Sequence, residues 1–122
     1  MRQLFIILVL FLTMTNMTQA ASNPFFSKYK TPFETPPFNK IKTEHYEPAF
    51  DEGIKQLAQE VETIAGNPRP ATFKNTIEAL EYSGKLLTKV SSAFYNVLSA
   101  ESNDEMMEIS ERISPKLSES SN

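Results

Sequence analysis

Tyr46-Glu47-Pro48-Ala49-Phe50-Asp51-Glu52-Gly53-Ile54-Lys55-Gln56-Leu57-Ala58-Gln59-Glu60-Val61-Glu62-Thr63-Ile64-Ala65-Gly66 is the stretch that decides the fold. Its large apolar residues, Tyr46, Phe50, Ile54, Leu57, Val61 and Ile64, recur at intervals of four and three. A helix of 3.6 residues per turn lines all six up on one face. Pro48 is tolerated only near the first turn, where its missing N–H has no intrahelical partner to lose, so the regular part starts close to it. Gly66-Asn67-Pro68 stops the helix, with Gly66 expected as a left-handed cap and Pro68 unable to continue the ladder.

Downstream of the loop at residues 67–73, Asn75 is expected to cap a second helix, with Glu78 completing a capping box. Ile77, Leu80, Leu87, Val90, Phe94 and Val97 form its stripe. Gly84 falls within that stripe, which suggests the close approach of another backbone there. A third helix opens at Ser102-Asn103-Asp104-Glu105, whose acidic side chains suit the positive end of a helix dipole. Met106, Ile109, Ile113 and Leu117 give its stripe, inside which Pro115 should kink or end the helix. Short connections join antiparallel neighbours. The expected fold is therefore all-α: antiparallel amphipathic helices over residues 43–122, the last without an evident partner for its stripe, as in the front of a larger helical protein.

Residues 21–42 precede the helices and carry Pro24, Phe25, Phe26, Tyr29, Pro32, Phe33, Pro36, Pro37 and Phe38. Each proline lacks a donor and pushes its predecessor out of the helical region, so the segment is extended or turning. It is too aromatic for a solvated linker and reads as an ordered, extended proline/aromatic-rich arm that inserts its rings into something larger. Ahead of it, Arg2 is followed by the uncharged apolar run from Leu4 to Leu12, and then by Thr18, Ala20 and Ala21. Those are the parts of a signal peptide over residues 1–20, cut after Ala20, which predicts an exported, periplasmic or secreted protein. The apolar run is about half of the ~20 residues a membrane span requires, so no stable span is expected.

Composition narrows the chemistry. With 122 residues there is room for one small domain or a piece of a larger one. Apolar residues at 40% against 22% charged exclude a disordered chain, and a net charge of −3 argues against nucleic acid as a partner. There is no Cys, hence neither a disulfide nor a thiolate metal site, and a single histidine, His45. His45 lies between Glu44 and Glu47, but one imidazole with carboxylates on different helical faces has no zinc-ligand spacing, so it reads as a structural or capping residue. Glu78 with Glu81, Asp104 with Glu108 and Glu108 with Glu111 are helix-spaced pairs opposite the apolar stripes, which makes them a solvated face. Residues 103–111 lack the central Gly of a calcium loop. Ser83, Ser91, Ser92 and Ser99 sit in no nucleophile motif, and Gly53, Gly66 and Gly84 form no phosphate loop. Met106-Met107 reads as core filling.

Three blocks together resemble a known family. They are Asn23-Pro24 with Thr35-Pro36-Pro37-Phe38, Ile41 and Glu44-His45-Tyr46-Glu47-Pro48-Ala49-Phe50; then Pro70-Ala71-Thr72-Phe73-Lys74-Asn75-Thr76-Ile77-Glu78-Ala79-Leu80-Glu81; then Ser99-Ala100-Glu101-Ser102-Asn103-Asp104. In order and spacing they are similar to the amino-terminal region of the peptidyl-dipeptidase and oligopeptidase A group of thimet-oligopeptidase-like zinc metallopeptidases. The resemblance implies an all-helical enzyme with a deep channel, acting on short peptides. Its zinc would sit on a His-Glu-x-x-His helix with a further Glu ligand toward the carboxyl end, the motif Glu acting as general base. None of those residues is in this chain, so the resemblance assigns no catalytic, cofactor-binding or metal residue here. It implies a fragment truncated before the catalytic region, binding no zinc itself, inactive alone, and partnered by the missing carboxyl-terminal portion. The alternative is a stand-alone secreted helical module that holds a partner through its aromatic arm.

Overall fold

Gly53 and Leu87 set how the first two helices meet. A Cβ placed on Gly53 would lie 2.9 Å from the Leu87 Cα and 3.0 Å from its amide nitrogen, so the two backbones touch at a point only glycine leaves open. The helices are α1, Tyr46–Ala65, and α2, Lys85–Ala100; α3, Asp104–Ser120, follows after three residues. They are the three long helices of a computed structural model that describes residues 23–121, and no strand occurs among those residues. The signal segment 1–20 and its cleavage point lie outside the described residues.

Neighbours run antiparallel, as expected. Tyr46 and Phe50 on α1 meet Phe94 on α2, while Gly53 meets Leu87. Contacts that move forward on one helix and backward on the other define an antiparallel pair. Between α1 and α3 the order is the same on both: Glu47 pairs with Arg112 at 3.1 Å and Asp51 with Lys116 at 2.6 Å. These ions are largely solvated, worth at most about 1 kcal/mol each, and serve mainly to hold register.

The core is aromatic. Ring centroids lie 5.5 Å apart for Phe25 and Tyr46, 5.1 Å for Tyr46 and Phe94, and 5.3 Å for Phe50 and Phe94, the last two edge to face. Each buried Phe is worth roughly 1.5–3 kcal/mol relative to exposure. Ala49, Val90, Ala93, Met106, Ile109 and Ile113 complete the buried hydrophobic set.

Several sequence expectations are corrected. The third helix does have a partner: Met106, Ile109 and Ile113 are buried against α1 and α2 in the common core, with Leu117 packed beside them. Pro115 neither ends α3 nor stops short of its last turn, because the helix continues to Ser120. Pro115 is exposed, so the Glu111 carbonyl it deprives of a partner faces water, while buried Ile113 and half-buried Leu117 hold the helix on either side. Gly66 is right-handed, φ −82°, its N–H donating to the Glu62 carbonyl at 2.8 Å, so no left-handed cap ends α1.

The expected second helix is two pieces. A wide helical turn over Phe73–Glu78 passes into a single α-turn, Ala79–Glu81, and the chain breaks at Gly84, whose φ of +69° places it in the left-handed region. Gly84 is thus a turn residue and N-cap of α2; what a Cβ there would meet is the Leu57 side chain at 3.3 Å, and the backbone contact sits at Gly53 instead. The capping box also shifts three residues back: the Asn75 N–H donates to Thr72 Oγ1 at 3.1 Å and the Thr72 N–H to Asn75 Oδ1 at 2.7 Å. The third helix opens where expected, and Asn103 caps it, its Oδ1 accepting from the Met106 N–H at 2.9 Å.

The arm folds back onto this same chain. Asn23 is buried, accepts from the Phe25 N–H at 3.1 Å and donates through Nδ2 to the His45 carbonyl at 3.0 Å, and Phe25 is inserted into the core. Its single helical turns are Pro24–Phe26, Pro32–Glu34 and Thr43–His45. At the middle one Phe33 and Glu34 both take positive φ, 58° and 54°, and Phe33 is 98% exposed. Thr31 and Thr35 brace that turn, the Thr31 hydroxyl donating to the Thr35 carbonyl and the Thr35 hydroxyl to that of Pro32.

Candidate functional site

An open groove forms where the arm crosses the two antiparallel helices. Phe25, Phe26 and Ser27 supply one wall, Glu52 and Gln56 of α1 the floor, and Lys85, Leu86 and Lys89 of α2 the other wall. From Gln56 it continues along α1 past Gln59, Glu60 and Thr63 to Tyr82 and Ser83.

Lys89 is the knot of the first part. Its ammonium donates to the Phe25 carbonyl at 3.0 Å and the Ser27 carbonyl at 2.7 Å, and lies 3.9 Å from the centre of the Tyr29 ring. One cation thereby ties arm to helix by two charge-assisted hydrogen bonds and a cation–π contact. Burial lowers the Lys89 pKa from the usual lysine value, against the opposing pull of Glu34. The Tyr29 hydroxyl is buried without a hydrogen-bond partner; burial, with Tyr46 beside it, raises its pKa to about 12. Burial also raises the Tyr46 phenol. At the far end Glu60 accepts from the Gly84 N–H at 2.6 Å, a carboxylate at the opening of α2. Neither Lys89 nor Glu60 stood out in the sequence: a lone Lys in an amphipathic helix and a lone Glu on a charged face carry no spacing signal.

These groups are occupied with structure. Lys89 donates to two backbone carbonyls and Glu60 accepts from a backbone amide. His45 caps: its Nδ1 accepts from the Lys42 N–H at 2.9 Å. Glu81, Asp104, Glu108 and Glu111 are exposed and Glu78 is half-buried, with Glu108 3.8 Å from Arg112. The Ser83 and Ser99 hydroxyls donate to the carbonyls of Leu80 and Tyr95 within their own turns. Met106 is core while Met107 is exposed. Among the described residues no three His, Cys, Asp or Glu side chains group closely enough to hold a metal ion, so these residues do not fit the zinc that the resemblance implies for the family. No helix among them is long and apolar enough to cross a membrane.

No protein-family model matches the chain. It is 45% identical over 100 residues, 82% of its length, to dipeptidyl carboxypeptidase of Escherichia coli strain K12. It is 41% identical over 102 residues to the dipeptidyl carboxypeptidase of Salmonella typhimurium, and 33% identical over 89 residues to oligopeptidase A of Escherichia coli. The chain spans 15% of the length of each of the first two and 13% of the third.

Proposed function

Because the chain belongs to the family of dipeptidyl carboxypeptidase and oligopeptidase A, we propose that it supplies the non-catalytic helical front of a peptidase of that kind. The supporting observation is the combination of 45% identity with a span of only 15% of the relative's length. In this reading peptide hydrolysis, and any zinc it needs, belongs to residues outside this chain, and the bundle helps wall the channel that admits short peptides. The basic, apolar and small residues of the first 20 positions direct the protein out of the cytoplasm, cut after Ala20. An amino terminus at or beside Ala21 in the extracytoplasmic fraction supports export, and an intact Met1 on a cytosolic product refutes it.

The test is an exchange. The matching segment of Escherichia coli dipeptidyl carboxypeptidase is deleted or replaced by residues 23–121 of this chain, and release of dipeptides is measured. Deletion should abolish turnover, replacement should restore it, and the chain alone should show none. Chelator-sensitive turnover by the chain alone, or an inactive replacement, overturns the reading. A second reading, a stand-alone binding module, draws support from the burial of the α3 stripe within the chain's own core. An inactive replacement together with a cooperative monomer would favour it.

A further inference from the structure

The short helical segment between α1 and α2 is built inside out. Phe73, Ile77 and Leu80 stand four and three residues apart, on one face of Phe73–Glu81, and are 72%, 52% and 43% exposed; Tyr82 follows at 60%. On the opposite side Asn75, Thr76, Glu78 and Ala79, small or polar, are the half-buried residues. A segment that turns its large apolar side chains to water, beside Lys74 and Glu81, and half-buries small or polar ones instead is reversed with respect to the three long helices.

The reversal is not looseness. The reciprocal Thr72–Asn75 bonds fix the entry, Asn75 Nδ2 donates to the Pro70 carbonyl at 3.0 Å, and Glu60 holds the exit through the Gly84 N–H at 2.6 Å. The entry is braced within residues 70–76 and the exit is tied to α1. Contiguous apolar ridges of this size on a small folded unit mark contact surfaces.

We infer that Phe73, Ile77 and Leu80 form the ridge by which this bundle docks into an apolar groove of the peptidase body. The occupant follows from length: the chain spans 15% of dipeptidyl carboxypeptidase, leaving most of such a fold to cover the ridge. This rests on the proposed function and names the surface through which it operates. Phe33, though more exposed, is a single side chain on a turn and lies outside the ridge.

The experiment uses the replacement enzyme described above. Phe73→Asp with Ile77→Asp in that chimera should lower dipeptide release at least tenfold, while the same pair in the chain alone leaves its helical circular dichroism and melting temperature unchanged, since both side chains already face water. Phe33→Asp in the chimera should leave activity within twofold. A doubly substituted chimera as active as the unsubstituted one overturns the ridge while leaving the proposed function standing; an unsubstituted chimera without activity overturns the proposed function itself. Equal losses from Phe33→Asp, or a dimer of the isolated chain that the double substitution dissociates while the chimera tolerates it, also overturn the assignment, the latter in favour of a second copy of the chain.

Discussion

Replacing Gly53 with Ala sets two effects of opposite sign against each other. Alanine is about 1 kcal/mol better than glycine inside a helix, and Gly53 lies mid-way along α1 with ordinary helical neighbours. Propensity alone therefore predicts stabilisation. Against it, the new Cβ would sit 2.9 Å from the Leu87 Cα, 3.0 Å from its nitrogen and 3.2 Å from its Cβ. These atoms are backbone or one bond from it, so no rotamer change relieves the contact and α2 must move as a body. Overpacking of this kind costs roughly 1–3 kcal/mol. Here it also pulls Phe94 away from Tyr46 and Phe50, on the same helix pair, so the upper half of that range applies. After the propensity gain, Gly53→Ala is expected to destabilise by about 1–2 kcal/mol, or five- to thirtyfold in the folding equilibrium. Urea unfolding followed at 222 nm should show a lower midpoint with an unchanged slope. A midpoint raised by the equivalent of about 1 kcal/mol would mean that propensity acts unopposed and that α1 and α2 do not meet at this point.

Phe33 makes the reverse case: its φ of 58° strains a side chain that touches almost nothing, so Phe33→Asn should stabilise by up to about 1 kcal/mol in the same unfolding assay, and a loss of that size would show the ring to be buried. Asn103→Ala removes the α3 cap and should cost about 1 kcal/mol, lowering the melting temperature; an unchanged temperature would show that the Met106 N–H is satisfied otherwise. Tyr29 and Tyr46 have pKa values raised in the folded state, so their contribution is complete below pH 10 and lost as pH rises through the folded values, about 12 for Tyr29. Lys89, lowered by burial, acts in the other direction, adding stability as pH rises from its folded value to the unfolded 10.5. Tyrosinate absorbance at 295 nm should show a late step that Tyr29→Phe removes, and an alkaline titration unaltered by that substitution refutes the assignment.

What could be read from the sequence was set by how local the signal is. The stripes of α1 and α3 are contained within a few turns, and periodicity alone finds them. The second helix misleads because its stripe keeps helical spacing straight across Gly84: a left-handed residue leaves no mark on apolar periodicity. Asn75 serves equally well on paper as cap or as third residue of a box, and Thr72 takes the cap because its extended backbone lets the bonds run both ways. The role of Gly53 depends on Leu87, far along the chain, and no local pattern carries it. The same holds for α3, whose stripe has no visible partner until α1 is folded beside it, and for Phe25, whose pocket is made by Tyr46 together with α2. At the site, the capping task of His45 was legible; the structural tasks of Lys89 and Glu60 were not, since each acts on backbone atoms that any sequence would supply.

The docking of the arm has a consequence for the order of events as the polypeptide emerges from the ribosome. Residues 23–29 are made before α1 and α2, yet Lys89, which holds them, lies in α2; its bond to the Phe25 carbonyl closes a separation of 64 residues. Until α2 has been synthesised, Phe25 has only half a pocket, and a segment made before the helices is among the last able to settle. The aromatic arm is therefore open to chaperones for most of the time the bundle is being made, and closes over it only at the end.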